Sequence, residues 1–271
     1  MIRAHAKINW SLRITGKRSD GYHDLETVFQ TISLHDELIV RESDRLTLTC
    51  DDATVPVDET NLVLRAARAL GSPPVAIELR KRIPAGGGLG GGSSDAAATL
   101  RALGGDRDDL PRLALSLGSD VPFFLVGGTA YATGRGEVLT PMAPLSGIPL
   151  LLVFPDERVM TKDAFARINR YSQPLGIDAY RDFTHFTNDF EEPIFAMVPR
   201  LRALKQRLYD AGATWAGMSG SGSTIAGAFA DAASRDRARS AFEDVRVESA
   251  ETTPADSAAS TPSSRGPASA G

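Results

Sequence analysis

Apolar and polar residues alternate along residues 2–14, 37–41, 45–50, 75–83 and 126–132, which is the period of a strand with one buried face. Between these segments the period lengthens. NLVLRAARALG (61–71), residues 92–103 and DDLPRLALSLG (108–118) place apolar residues at helical spacing, the first and last of them stopping at a glycine. From about residue 148 the pattern restarts. An apolar IPLLLVFP is followed by helical TKDAFARI and IFAMVPRLRALKQRLYDAG, a glycine-rich WAGMSGSGSTIAGAFA with strand-like flanks, and helical DAASRDRARSAFED. The expectation is a mixed α and β chain with one domain over 1–147 and a second over 148–249. Beyond residue 249 Ala, Ser, Thr, Pro and Gly dominate with no aromatic residue. Such a segment buries too little apolar surface to offset its ordering entropy, so 250–271 is expected to be a disordered tail.

Composition narrows the functions more than the fold. The 271 residues are 42% hydrophobic and 24% charged, ordinary for a soluble globular protein. A net charge of -4 without a basic run gives no footprint for a nucleic-acid backbone, so nucleic acid is not expected as a partner. MIRAHAKINWSLRITG scatters charges through its apolar residues, unlike a signal peptide, and IPLLLVF is far short of a membrane span. No membrane partner is expected. The single cysteine, Cys50, forbids an internal disulfide, which agrees with a cytoplasmic location. The expected assembly is a monomer or a weak homodimer.

The most specific stretch is PAGGGLGGGSSDAAATL, with six glycines in the seven positions from 86 to 92. A Gly/Ser linker would have this composition too. Its flanks argue otherwise. Val75, Ile77 and Leu79 share one strand face before it, and Ser93 or Ser94 can cap a helix that ends at Gly104 after it. Strand, glycine loop and helix N-terminus together present backbone N–H groups to an anion. No Gly-Lys-Ser/Thr follows, so the loop is not a P-loop. Gly86, Gly88 and Gly91 satisfy G-x-G-x-x-G, but GGDRDDL offers no acidic residue closing a second strand, as a dinucleotide site requires.

This stretch resembles the P-x-x-x-G-L-G-S-S motif of the GHMP small-molecule kinases, grouped with galactokinase, homoserine kinase, mevalonate kinase and phosphomevalonate kinase. With AKINWSLRITGKRSDGYHDLET, GSDVPFFL (118–125) and MSGSGSTIAGAF (218–229), in that order, the chain is similar over roughly residues 1–245 to the 4-diphosphocytidyl-2-C-methyl-D-erythritol kinase family. Ser119 stands where alanine is commoner, and MSGSGST has serine where proline or alanine is usual. The resemblance implies an α+β, two-lobed GHMP kinase fold: an N-terminal lobe like domain 2 of ribosomal protein S5, a ferredoxin-like C-terminal lobe, and the site in the cleft between them. ATP would be the phosphoryl donor with Mg²⁺, and the partner a small cytidine-linked alcohol phosphorylated in non-mevalonate isoprenoid biosynthesis.

The same resemblance distributes the roles. Pro84, Ala85, Gly86, Gly87, Gly88, Leu89, Gly90, Gly91, Gly92, Ser93 and Ser94 would cradle ATP, with Asn61 near adenine, although Asn61 can equally cap the helix it opens. Ser94 matches a Mg²⁺-associated serine, with helix capping as its alternative. Lys7 and Asp120 would be the catalytic pair, Asp120 taking the acceptor's proton and Lys7 stabilising charge. From the residues alone Lys7 faces either solvent or a site, and Asp120 could be an N-cap. Asn9 shares the Lys7 face and would contact substrate. Tyr22 would stack on the base, His23 hydrogen-bond to it and Phe165 close the sandwich, Phe165 also fitting a core position. Ser219, Gly220 and Ser221 would close the site. Asp95, in the first helical turn, either turns away from the phosphates or meets them through Mg²⁺. A sibling kinase for another alcohol and a non-catalytic nucleotide-binding protein are the competing readings; the DGYH segment separates the first, and Lys7 with Asp120 the second.

Overall fold

The structure is a computed structural model that describes residues 1–181 and 185–255. In chain order its elements are β1 (Ile2–Lys17), β2 (His23–Glu42), β3 (Thr47–Cys50), α1 (Leu62–Leu70), β4 (Val75–Arg80), α2 (Gly91–Gly104), α3 (Leu110–Leu117), α4 (Val121–Val126), β5 (Thr129–Thr133) and β6 (Val138–Pro141). The second half adds β7 (Pro149–Phe154), α5 (Thr161–Ala166), α6 (Glu191–Met197), α7 (Pro199–Asp210), β8 (Trp215–Met218), β9 (Ile225–Ala228), α8 (Ala232–Ala238) and β10 (Arg246–Glu251).

β1 and β2 form a long antiparallel ribbon, joined by a turn in which the Arg18 N–H bonds the Tyr22 carbonyl at 2.8 Å. On its other side β2 pairs with β5 through residues 27–30 and with β4 through 37–42. β2 is thus central, and residues 26–32 are buried on both faces. That is why its first fourteen residues show no clean alternation. β7, β8, β9 and β10 make a second sheet in the order β10-β7-β9-β8.

The sheets stack face to face. Ala6, Ile8 and Trp10 of β1 and Val28, Ile32 and Leu34 of β2 pack on Leu150, Leu152 and Phe154 of β7 and on Ala226, Ala228 and Ala250. The outer face of the second sheet, including Leu151 and Val153, packs on Ile194, Leu201, Leu204 and Leu208 of α6 and α7. Helices α1 to α4 cover the first sheet with Ala66, Ala97, Leu113 and Phe123 against Phe29, Ala130 and Ala132. The expected long helix of IFAMVPRLRALKQRLYDAG is two helices, because Pro199 has no N–H to continue the first and suits the first turn of the second.

The first residues of the segment expected to be a tail are held in the fold. β10 runs to Glu251, Thr252 bridges Ile32, and Thr253 donates its N–H to Thr31 at 2.9 Å and accepts from Gln30 at 2.9 Å through its carbonyl. Composition concealed this because the segment is held by strand pairing with partners distant in sequence. Residues 256–271 lie outside the described residues.

Candidate active site

A cavity of about 1020 Å³ lies between the helices of the N-terminal half and α5. Strand alternation builds its floor, with Lys7 and Asn9 of β1 beside His23, Leu25, Thr27 and Phe29 of β2.

At one end is the glycine loop, where Pro84 to Gly88 and Gly90 to Ser93 line the cavity. α2 starts at Gly91, earlier than the serines expected to cap it; Gly90 is the N-cap, left-handed at φ 73°, and no side chain caps the helix. The orphan N–H groups of its first turn are therefore left for an anion. Two residues of the stretch do not face the cavity. Leu89 is buried in the core between the sheets, and its carbonyl accepts the Lys7 N–H at 3.0 Å. Ser94 is buried and donates its hydroxyl to the His5 carbonyl at 2.6 Å. A helix turns about 100° per residue, so Ser93 on the cavity side carries Ser94 inward. Ser94 thus fits neither a phosphate nor a metal contact.

Lys7 stands at the centre of the floor, 3% exposed. Its Nζ donates to Asn9 Oδ1 at 2.6 Å; the same oxygen accepts the Gly220 N–H at 2.9 Å, and Asn9 Nδ2 donates to Thr27 Oγ1 at 2.8 Å. Asn9 is thereby a bracket for Lys7, tying β1, β2 and the second glycine-rich loop together. Burial pushes the Lys7 ammonium below its ordinary pKa, and the charge of Asp120 opposes this. Asp120, half-buried, occupies the N-cap position of α4 without making a cap hydrogen bond. Its carboxylate lines the cavity and makes no ion pair with Lys7 within 4 Å among the described residues. The capping alternative is therefore not realised.

Asp95 is not turned away: it lines the cavity, and its carboxylate is held in an ion pair. Its Oδ2 accepts from Lys81 Nζ at 2.8 Å, Lys81 also pairs with Asp36, and Asp95 Oδ1 is buried without a hydrogen-bond partner. Burial pushes the Asp95 pKa up to about 7 against the pull of Lys81, with Asp36 adding to the rise. An unfolded aspartate titrates near about 3.9, so between roughly pH 4 and 7 the folded chain holds the extra proton and this group's contribution to stability falls as pH rises. Asp95→Asn is expected to be more stable than the parent by about 1–2 kcal/mol at pH 8, the gain fading towards pH 4. Urea denaturation of both proteins across that range checks it; an advantage that grows on acidification would contradict it.

At the other end the rings gather. His23 stacks on Phe165 with centroids 4.7 Å apart and planes 15° apart, and Phe165 meets Phe190 edge-on at 4.9 Å, so Phe165 serves core and cavity at once. Burial and Lys17 hold the His23 pKa below its ordinary value despite Asp24, which favours a neutral imidazole with one donor and one acceptor. Tyr22 is 53% exposed, and the Arg135 guanidinium lies 4.5 Å over its ring. One face of Tyr22 is thus already covered.

The second glycine-rich loop closes the middle. Gly220 and Ser221 line the cavity, with Ser221 Oγ 3.1 Å from Thr161 Oγ1. Ser219 does not: it is buried and donates its hydroxyl to the Gly88 carbonyl at 2.9 Å, joining the two loops. Asn61 lines the cavity while capping α1, its Oδ1 accepting from Val63 N at 2.9 Å and its Nδ2 donating to Pro56 O at 2.7 Å. Thr27, Phe29, Lys81, Arg135 and Tyr171 also line the cavity and were not anticipated. For Thr27 and Phe29 the even spacing from His23, four and six residues, is a usable signal once β2 is known to be a strand. Nothing in the sequence marks the others. Among the described residues, no cluster of three or more His, Cys, Asp or Glu could hold a metal.

Residues 61–128 match the GHMP kinases N terminal domain and residues 167–246 the GHMP kinases C terminal. The chain is 42% identical over 263 residues to 4-diphosphocytidyl-2-C-methyl-D-erythritol kinase of Chlorobium luteolum, covering 88% of this chain and 91% of that one. It is 41% identical over 261 residues to the enzyme of the same name from Prosthecochloris aestuarii, covering 88% and 91%. A crystal structure of 4-(cytidine 5'-diphospho)-2C-methyl-D-erythritol kinase superposes with a TM-score of 0.81 at 36% identity over 92% of this chain and 98% of that one. The mevalonate kinase of Methanococcus jannaschii, at 14% identity and a TM-score of 0.69 over 93% and 98%, shares the fold. On the domain matches, the identity over most of the chain and the shared fold, the chain belongs to the GHMP kinases, in the 4-diphosphocytidyl-2-C-methyl-D-erythritol kinase family.

Proposed function

We infer that this chain transfers the γ-phosphoryl group of ATP to the 2-hydroxyl of 4-diphosphocytidyl-2-C-methyl-D-erythritol, giving the 2-phosphate and ADP, a step of non-mevalonate isoprenoid precursor synthesis. The observation that carries the residue roles is one cavity holding Lys7, Asp120, the uncapped end of α2 and, at its far end, His23 with Phe165. The ATP phosphates lie along Gly86 to Ser93, where backbone N–H groups take negative charge. Asp120 accepts the hydroxyl proton as the new P–O bond forms and the bond to the β-phosphate oxygen breaks, and ADP leaves. Lys7, held by Asn9, stabilises the charge spread over the transferred group. The acceptor is a tertiary alcohol, too weak an acid to ionise alone, so positioning supplies much of the rate.

The cytosine lies against Phe165 and the open face of Tyr22, with His23 reading its edge. Gly220 and Ser221 border the reacting end. Asn61 stands near adenine, its amide partly used by α1. Among the described residues no cluster of carboxylates would cage Mg²⁺, so the ion would come with the nucleotide phosphates and neutralise their charge there. Residues 1–147 form the ATP-binding lobe and the second lobe runs from 148 through the end of β10 at Glu251, in a cytoplasmic monomer or weak homodimer. No helix among the described residues is long and apolar enough to cross a membrane.

ADP release with Mg-ATP and each of four alcohols tests the assignment. The cytidine compound is expected to exceed mevalonate, homoserine and galactose by at least ~100-fold in kcat/KM, since polar groups shaped for the base are left unpaired by substrates lacking one. Comparable turnover with any of the other three would move the chain to another kinase activity.

A further inference from the structure

Glu26 is a buried carboxylate outside the cavity that the chemistry above does not use. It is 2% exposed, and no lysine or arginine pairs with it within 4 Å among the described residues. Burying an unpaired carboxylate is costly unless hydrogen bonds compensate for water. Here they do. Glu26 Oε1 accepts from Tyr180 OH at 2.6 Å and Leu175 N at 3.0 Å; Oε2 accepts from Gly176 N and Tyr131 OH, both at 2.9 Å. Burial opposes ionisation, but these donors outweigh it and hold the Glu26 pKa below its ordinary value.

The donors show what is being held. Residues 171–176 form a strap that crosses the edge of the β1–β2 ribbon. On the way Ser172 N donates to the Ile14 carbonyl at 2.8 Å and Arg13 donates to the Gln173 carbonyl at 3.2 Å. At its far end Leu175 and Gly176 are fixed by Glu26, whose chain neighbours Leu25 and Thr27 point the other way, into the cavity. At its near end Tyr171 lines the cavity, with its ring centroid 6.3 Å from that of His23 and the planes tilted by 47°. His23 therefore has Phe165 stacked on it and Tyr171 leaning against it.

We propose that Glu26 is a positioning residue for substrate recognition: by anchoring the 171–176 strap it holds Tyr171 against His23 and so fixes the ring that reads the base. This rests on the assignment of His23 and Phe165 to the cytosine. The role is a division of labour within one strand, in which alternate side chains of β2 form the pocket and anchor its outer wall.

The test combines amide hydrogen exchange with steady-state kinetics on the intact chain. Glu26→Gln replaces two acceptor oxygens by one and adds an N–H₂ facing donors. It is expected to speed exchange at Leu175 and Gly176 at least about tenfold and to raise KM for the cytidine substrate about tenfold, with kcat and KM for ATP within about twofold. Tyr171→Ala is expected to raise the same KM without changing exchange at 175–176, and the double variant to add little beyond either single one. Should Glu26→Gln fold poorly, Tyr180→Phe removes one donor, keeps the ring, and shifts both readouts the same way by less. Loosened exchange with an unchanged substrate KM would overturn the proposal, as would a fall in kcat and a rise in KM for ATP as large as the rise in substrate KM. Phe165→Ala separates the two claims: a KM rise there beside an unchanged Glu26→Gln condemns the strap alone, whereas an unchanged KM in both condemns the cytosine pocket on which the strap depends.

Discussion

Asp120→Asn is expected to lower kcat by about 10²–10⁴-fold while KM for ATP and the unfolding midpoint stay close to the parent values. The size follows from the task. Proton transfer to a positioned base contributes roughly that factor, and asparagine, of the same shape, accepts no proton. The small effect on stability follows from the structure, because among the described residues Asp120 makes no cap bond to α4 and no ion pair. What links it to the rest is the field it places on Lys7, which loses pKa through burial and regains part of it from Asp120. Removing that charge leaves Lys7 more easily deprotonated, so the basic limb of the kcat–pH profile should move to lower pH in whatever activity remains. Single-turnover kinetics separate chemistry from product release. A variant retaining kcat within tenfold would remove Asp120 from the role of base.

How far such a site can be read from sequence depends on what each residue is doing there. The strand alternation around Lys7 and Asn9 and the strand–glycine–helix order around 84–100 are local patterns, and both elements appear where expected. Side-chain direction within the glycine stretch was not legible, because moving the start of α2 from the serines to Gly91 rotates every residue behind it and turns Ser94 inward. Asn9 shares a strand face with Lys7, which points to a substrate contact, yet its oxygen is taken by Lys7 and by Gly220, 211 residues away. Lys81, Asp36 and Asp95 illustrate the remaining difficulty: Asp95 reads only as a residue of the first helical turn, Lys81 and Asp36 carry no local signal, and only folding puts the three together out of water. β2 hid its pocket face for the opposite reason, since a strand buried on both sides loses the period by which strands are found.

The glycines themselves are equivalent in sequence and unequal in structure, which yields the second large effect. Gly88→Ala is expected to destabilise the chain by more than ~4 kcal/mol and to collapse kcat/KM, whereas Gly86→Ala should cost only about 1–2 kcal/mol. Both residues have positive φ, 73° at Gly86 and 78° at Gly88, so both bear the strain of placing a Cβ in the left-handed region. They differ in what that Cβ meets. At Gly86 nothing lies within 4 Å, but at Gly88 the Ser219 carbonyl oxygen is 2.0 Å away, its carbon 3.0 Å and the Gly222 carbonyl oxygen 3.2 Å. These are backbone atoms, which cannot rotate aside. The two loops would have to part, breaking the bond from the Ser219 hydroxyl to Gly88 and drawing the Gly220 N–H from Asn9, which holds Lys7. Stability and catalysis are therefore expected to fail together at Gly88 and to separate at Gly86, where only the phosphate cradle is altered. Urea denaturation and kcat/KM measured on both variants decide the matter; equal stabilities would mean that the loops are not locked at this point.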